Sequence, residues 1–330
     1  SKKNGIVQDI IIRLSPEIEL DERTHKYTTT GILDSKFGFA IETGDAEVVV
    51  AGGAENMTRL PYYLRKARSG YRLGHDTIED GVVKLLSDPF EGYHMGITAE
   101  KLAEEFEISR AAQDELSAES QRRALNAIEK GYFKDQIVPL TVRKGREEHI
   151  FDTDEFPQNS SVEKLSKLRP AFKEDGMVTP GNASGINDGA SATVVMSATK
   201  AAALGVKARL RLVARAEAGV DPSIMGSGPI PAVNKVLEKA DMTLDQMDVI
   251  ELNEAFAAQS LYVIQKGNWD IDKVNINGGA IALGHPLGCS GARIIITLMN
   301  VMKQNNSNIG LATMCIGTGQ GIATILERIN

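Results

Sequence analysis

MDVIELNEAFAAQSLYVIQK (Met247–Lys266) decides the fold class. Met247 to Leu252 is a short apolar run of the kind that forms a buried strand, and a helix is expected from about Glu254 to Lys266. Asn253 stands where the one passes into the other. The same rhythm extends on both sides. Ala208 to Ala216 alternates basic and apolar residues, as a half-exposed strand does, and Ala232 to Ala240 reads as an amphipathic helix. Downstream, the glycine-rich stretch Gly278–Gly291 leads into a helix expected from about Ala292 to Lys303. Two strands follow, Ile309–Thr313 and Gly321–Glu327, with Cys315-Ile-Gly-Thr-Gly319 placed in the turn between them. Strands alternating with helices imply a layered α/β domain, whose ligand sites lie where strands end.

Towards the N-terminus the texture changes. Glu47–Gly53 is an apolar run closed by paired glycines, the pattern of a buried strand. From Asn56 to about Gly181 the chain reads as an excursion. It is first aromatic and basic (Tyr62, Tyr63, Arg65, Lys66, Arg68, Tyr71, Arg72), then helical from about Ser109 to Glu129, then irregular and charged from Lys144 to Arg169. Ser109 suits the N-cap of that helix. Gly181-Asn-Ala-Ser-Gly185 is a loop of small residues and Ala192–Ser197 a strand.

Composition limits the function classes. A chain of 330 residues, 42% hydrophobic and 25% charged, buries a large core and suggests two domains or one large layered one. No apolar run approaches the ~20 residues that span a bilayer, and Ile10-Ile-Ile12 is too short and too soon broken by Arg13 for a signal peptide. A net charge of −7 leaves no footprint for nucleic acid. Two cysteines, Cys289 and Cys315, form no disulfide framework and point to a reducing compartment, with the cytoplasm expected.

Three segments hold ionisable or amide groups beside small residues: Asn253-Glu-Ala-Phe256, Gly284-His-Pro-Leu-Gly288 and Cys315-Ile-Gly-Thr-Gly319. His285 is either a loop histidine capping a helix or a group facing a helix N-terminus, where free N–H groups favour an anionic intermediate. Cys315 is either an inert core cysteine or a thiol approached closely by a ligand, with Gly317 offering an N–H to an oxyanion. Asn253 either orients a water or carbonyl or serves as an N-cap. Cys289 reads as packing. Together an amide, an imidazole and a thiol suit a thioester and its adjacent proton; no metal is called for.

Asn253-Glu-Ala-Phe-Ala-Ala-Gln259, Asn277-Gly-Gly-Ala-Ile-Ala-Leu-Gly-His-Pro-Leu-Gly288 and Cys315-Ile-Gly317 resemble the three C-terminal signatures of the thiolases. This is the family of acetyl-CoA acetyltransferases and 3-ketoacyl-CoA thiolases. The resemblance continues through Gly181–Gly189, Tyr93–Glu100 and Ala51–Asn56, and so runs from about Gly44 to the C-terminus. It implies a thiolase-like layered α/β fold with an N-terminal half over residues 1–199, incomplete and holding a loop domain at about 56–181, and a complete C-terminal half over 200–330. It also implies ping-pong acyl transfer between CoA thioesters, which are substrates rather than a permanently bound cofactor. The acyl-CoA would be the partner, in a homo-oligomer (dimer or tetramer) that binds neither nucleic acid nor membrane.

By the same resemblance His285 activates the nucleophile and holds an oxyanion, Asn253 fixes a water of the first oxyanion hole, and Cys315 removes the α-proton. Gly317 supplies a second-hole N–H. Ser184 bonds the pantetheine arm, Phe172, Met225, Ala255 and Phe256 line the pantetheine and acyl pocket, and His94 with Met95 lie at the acyl end.

The resemblance stops where the family carries its nucleophilic cysteine. That turn falls near Lys26–Thr30, and Thr24-His-Lys-Tyr-Thr-Thr-Thr-Gly31 contains none. A true replacement, a truncated or mis-spliced gene product, and a sequence missing natural segments all explain this. The alternative function is then a catalytically inactive CoA-binding or assembly subunit. The expectation for these 330 residues alone is weak CoA binding without turnover. Thr318 also stands where the family usually has a glycine.

Overall fold

The strands are β1 (Val48–Glu55), β2 (Tyr62–Tyr63), β3 (Glu79–Asp80), β4 (Leu140–Lys144), β5 (Glu147–Phe151), β6 (Gly189–Met196), β7 (Leu210–Gly219), β8 (Val249–Leu252), β9 (Ile309–Ile316) and β10 (Gln320–Arg328). They are seen in a computed structural model that describes residues 41–329 except Glu42.

β7, β10, β9 and β8 form one sheet in that order, with β8 parallel to β9 and the other pairs antiparallel. Every residue of β8 is buried, and β9 and β10 are buried along most of their length. Both faces of the sheet are therefore covered, which is why β8 is continuously apolar save for Glu251. On one face lies the helix Pro229–Ala240, whose Ala232, Val233 and Val236 pack with Ile250, Leu252, Leu311, Ala323 and Ile325. On the other lies the helix Leu287–Gln304, whose Ile294, Leu298, Val301 and Met302 meet Val249, Ala312, Met314, Ile322 and Leu326.

β1 and β6 pair antiparallel from Val48↔Met196 to Glu55↔Gly189. Ala51 and Val195 of this pair rest on Ala292 and Ile295, on the far side of the helix Leu287–Gln304. That helix is held between two sheets, so it is buried along most of its length, and polar Ser290, Arg293, Thr297 and Asn300 are buried with its apolar residues. Its N-terminus comes earlier than the sequence reading placed it, at Leu287 rather than Ala292. Gly288 and Gly291 suggest a loop, yet Gly288 serves close approach: a Cβ there would stand 2.5 Å from the Ala54 carbonyl oxygen of β1.

Two further boundaries differ from expectation. β9 continues to Ile316, so Cys315 is a strand residue opposite Gly321, and the turn is confined to Gly317–Gly319. The stretch Lys144–Arg169, expected to be irregular, contains part of the β4–β5 hairpin and the helix Val162–Ser166. The hairpin is exposed on both faces at Glu147, Glu148 and His149, so no apolar alternation announced it. The helix Arg110–Glu129 has Ser109 at its N-cap, with Oγ accepting from the Ala112 N–H at 3.2 Å. Among the described residues no helix is long and apolar enough to cross a membrane.

Candidate active site

β8 delivers Asn253 to the interior. The Asn253 N–H donates to the Thr313 carbonyl at 3.0 Å, continuing the parallel ladder one residue past the strand. Asn275 closes the other edge, accepting from Leu252 N and donating to Leu252 O, both at 2.8 Å. The next helix is Ala257–Lys266 with Phe256 at its N-cap, so the capping reading of Asn253 falls away. The carboxamide is instead fully buried, with Nδ2 3.3 Å from His285 Nε2.

His285 is held at its backbone N–H and at both ring nitrogens. Gly284 adopts φ +91°, a conformation glycine takes without strain, and its bare Cα lets Asn187 approach. Asn187 Oδ1 then accepts the His285 backbone N–H at 2.8 Å. The ring Nδ1 lies 2.6 Å from Ser290 Oγ in the first turn of the helix Leu287–Gln304, and Ser290 Oγ donates to the Pro286 carbonyl at 2.9 Å. Burial, and next the nearby Arg293 cation, push the imidazole down to about 3. It is neutral at physiological pH.

Cys315 is the penultimate residue of the buried strand β9, at 4% exposure. It shares an apolar cluster with Ala183, Met225, Ala255 and Phe256, and Met95 and Phe172 pack against the same cluster. Burial pushes the thiol up to about 12, so it rests protonated. Gly317 follows in the turn, where a Cβ would lie 3.7 Å from Met95 Sδ. Thr318 holds φ +69°, in the left-handed region unusual for a β-branched residue.

The remaining sequence-derived residues join this cluster from the N-terminal side. His94 stacks on Phe172 at 4.6 Å between ring centroids, and Phe172 meets Phe256 edge-on at 6.2 Å. Burial lowers the His94 pKa, and its Nδ1 accepts from the Gly96 N–H at 3.0 Å. The Ser184 N–H donates to the Ala255 carbonyl at 3.0 Å, beside the bridge between Ala183 and Phe256. The amide–imidazole pair and the thiol cluster thus meet through backbone, at Asn253 and Thr313, two residues before Cys315. Thr24–Gly31, where the family resemblance looks for a nucleophile, lies outside the described residues.

Sequence reasoning missed a charged group behind this site. Arg293 is 2% exposed, and Asp154, Glu251 and Glu254 are buried acids whose charges it influences. Burial raises Glu251 to about 8 and Asp154 to about 7. The signal was present: Arg293 interrupts Ala292-Arg-Ile-Ile-Ile296, and Glu251 sits between Ile250 and Leu252. Charges in a pattern that says core are the informative exceptions.

The domain described as "Thiolase, N-terminal domain" matches residues 37–199, and "Thiolase, C-terminal domain" matches residues 206–328. The chain belongs to the thiolase family. It is 53% identical over 292 residues to an acetyl-CoA acetyltransferase of Pseudomonas aeruginosa, covering 88% of this chain and 74% of that one. It is 52% identical over 294 residues to an acetyl-CoA acetyltransferase of Escherichia coli, covering 88% of this chain and 75% of the relative. Among solved structures, the Bacillus anthracis acetyl-CoA acetyltransferase superposes with a TM-score of 0.86 at 49% identity, covering 88% of this chain and 74% of that one. Human mitochondrial 3-ketoacyl-CoA thiolase in complex with CoA gives 0.85 at 42% identity, covering 88% and 73%. These relatives are named as enzymes of the acyltransferase class, which supports acetyl-CoA acetyltransferase or thiolase activity and gives no support to the inactive alternative.

Proposed function

We propose that this chain handles CoA thioesters as an acetyl-CoA acetyltransferase, forming or cleaving the carbon–carbon bond of a 3-ketoacyl-CoA. The observation that carries the reading is the juxtaposition of a buried neutral imidazole, held by Asn253, with a buried thiol at the ends of neighbouring strands β8 and β9. In the condensing direction the thiolate form of Cys315, its resting proton given up to solvent or to a departing CoA thiolate, takes a proton from the α-carbon of acetyl-CoA. The electron pair left behind is delocalised onto the thioester oxygen, where N–H donors such as that of Gly317 stabilise it. The enolate carbon then attacks an acyl thioester carbon, and the thiolate of that thioester leaves. In the cleaving direction the protonated Cys315 returns the proton. His285 and Asn253 serve the acyl-thioester end, and the ping-pong order assigns the acyl group to an enzyme thiol between the two halves.

The sequence offers two thiols, Cys289 and Cys315, and both are buried. The proton-transfer half is therefore the half the described residues equip. The pantetheine arm is assigned to the junction of Ser184, Phe172, Met225, Ala255 and Phe256, with His94 and Met95 towards the acyl end. Residues 1–199 and 200–330 are taken as the two halves, with the insertion at about 56–181. Tyr62, Leu64, Ile78 and the 77%-exposed Phe90 present apolar surface on that insertion, which supports assembly into a homo-oligomer.

Exchange of acetyl-CoA α-protons in deuterated water tests the reading without needing an acyl-enzyme. Deuterium entry into the acetyl group in the presence of the protein is expected. No exchange above the buffer rate, together with no acetoacetyl-CoA thiolysis, would sink it. Intact mass after incubation with acetyl-CoA reports separately whether a cysteine carries the acyl group.

A further inference from the structure

Arg293 is a charge in the wrong place for stability alone. It lies in the middle of the helix between the two sheets, at 2% exposure. A buried guanidinium is costly unless paired, and pairing normally takes the form of a close carboxylate. Among the described residues Arg293 has no such ion pair. Among the same residues its Nε and Nη1 have no hydrogen-bond partner, nor do either of the Glu251 carboxyl oxygens or Asp154 Oδ1. The hydrogen bond it does make, from Nη2 at 3.3 Å, goes to Asn253 Oδ1.

That bond has a chemical consequence. A guanidinium only donates, so the Asn253 atom facing it must be the carbonyl oxygen, and the amide nitrogen is turned to His285 Nε2. An amide N–H donates, so Nε2 must accept and carries no proton. From the other end, Ser290 spends its own hydrogen on the Pro286 carbonyl, so its oxygen accepts from His285 Nδ1–H. Arg293, Asn253, His285 and Ser290 form one chain of donors pointing the same way, ending on the Pro286 carbonyl as acceptor. The two ends agree on the tautomer.

We propose that Arg293 is a positioning residue: it orients the Asn253 carboxamide so that its N–H faces His285, and thereby holds the imidazole as the Nδ1–H tautomer with an unprotonated Nε2. The proposal rests on the reading of Asn253 and His285 as site residues and adds what sets their polarity. Without it, Asn253 could rotate and present its oxygen to Nε2, turning an acceptor nitrogen into a donor. The nearby cation also favours the neutral ring, in a setting that includes the buried acids Asp154, Glu251 and Glu254.

The tautomer can be read from long-range proton–nitrogen NMR spectra of the 15N-labelled full chain at pH 7. The sequence has five histidines, few enough for His285 to be assigned with His285→Gln. The parent is expected to show a protonated Nδ1 and an unprotonated Nε2. Arg293→Met, which keeps an apolar-compatible volume, is expected to lose that pattern to an Nε2–H or averaged one. Arg293→Gln, neutral and able to present either amide atom, carries the test if Arg293→Met does not fold and is expected to lose the parent pattern likewise. Asn253→Asp, isosteric and offering only acceptors, tests the amide's part separately and is expected to place a proton on Nε2. A parent with Nε2–H, or any folded variant retaining the parent pattern, overturns the proposal. CoA binding by titration calorimetry is scored apart: its absence in the parent counts against the proposed function and leaves the tautomer result standing.

Discussion

The β1–β6 pair and the β7-β10-β9-β8 sheet flank the same buried helix, Leu287–Gln304, and differ in everything else around them. The larger sheet is covered on both faces, and Leu311 and Ile325 in it are fully buried. The smaller one leaves Val50 38% exposed although β1 is as valine-rich as any strand in the chain. Asn253, His285, Cys315 and Gly317 hang from the covered sheet or from the helix beneath it. His94, Met95, Phe172 and Ser184 reach the same place from the N-terminal side. The groups that need fixed polarity are thus built on the side covered on both faces, where burial shifts His285 and Cys315 far from their ordinary pKa values. The groups assigned to grip a long, flexible thioester arm approach from the other.

That division can be broken in four ways. The largest effect is expected at the thiol: Cys315→Ser should slow α-proton exchange by about 10²-fold or more, since general acid–base groups contribute on that scale. CoA affinity, read by calorimetry, should stay unchanged. Exchange at the parental rate in Cys315→Ser would show that another group takes the proton.

The two sheets themselves can be compared by truncation. Leu311→Ala in the covered sheet should cost about 2–5 kcal/mol, the range for large-to-small changes in cores. Val50→Ala in the open pair should stay within about 1 kcal/mol, because little of the side chain is removed from a packed site. Urea denaturation with equal m-values checks both. Equal losses would mean that β1 is covered by something beyond the described residues.

The pH profile of exchange sharpens the same contrast. Burial holds Cys315 up to about 12, so the thiolate fraction should rise about tenfold per pH unit across pH 6–9 and the exchange rate with it. His285, pushed down to about 3, loses no proton in that window and adds no inflection. A plateau beginning near pH 8 would show that substrate binding lowers the thiol pKa sharply.

The smallest effect concerns the charge behind the site. Burial raises Glu251 to about 8 from the ordinary carboxyl value of 4.5, so the folded chain holds a proton that the unfolded chain releases. The stability this contributes is complete below pH 4.5 and fades as pH rises through 8. Glu251→Gln does not titrate, so its melting temperature should gain on the parent's between pH 5 and pH 8.5. Asp154, raised in the same direction, is common to both proteins. A gap that stays constant with pH would place Glu251 as an ionised group at neutral pH.

Local pattern carried much of this molecule. Met247–Lys266 announced strand, motif and helix because burial on both faces leaves a continuous apolar run and a helix leaves a period of its own. Ser109 marked its helix to the residue because an N-cap is a local hydrogen bond. The thiolase resemblance was equally local, lying in runs of glycine and polar residues around Asn253, His285 and Cys315. Glycine misled where its purpose was tertiary. Gly288 permits contact with Ala54 of a distant strand, a requirement no neighbour in sequence reveals.

The family, the layered α/β class and the residue types at the site were legible without any coordinates. The tertiary structure alone decided their states: that Cys315 lies within a strand and is protonated, that Asn253 faces His285 rather than capping a helix, and that Arg293 stands behind the amide. The reason is physical. Strand and helix follow from contacts a few residues apart. A carboxamide's orientation and a buried thiol's pKa depend on groups far along the chain, such as Arg293 forty positions from Asn253, which only folding brings into contact.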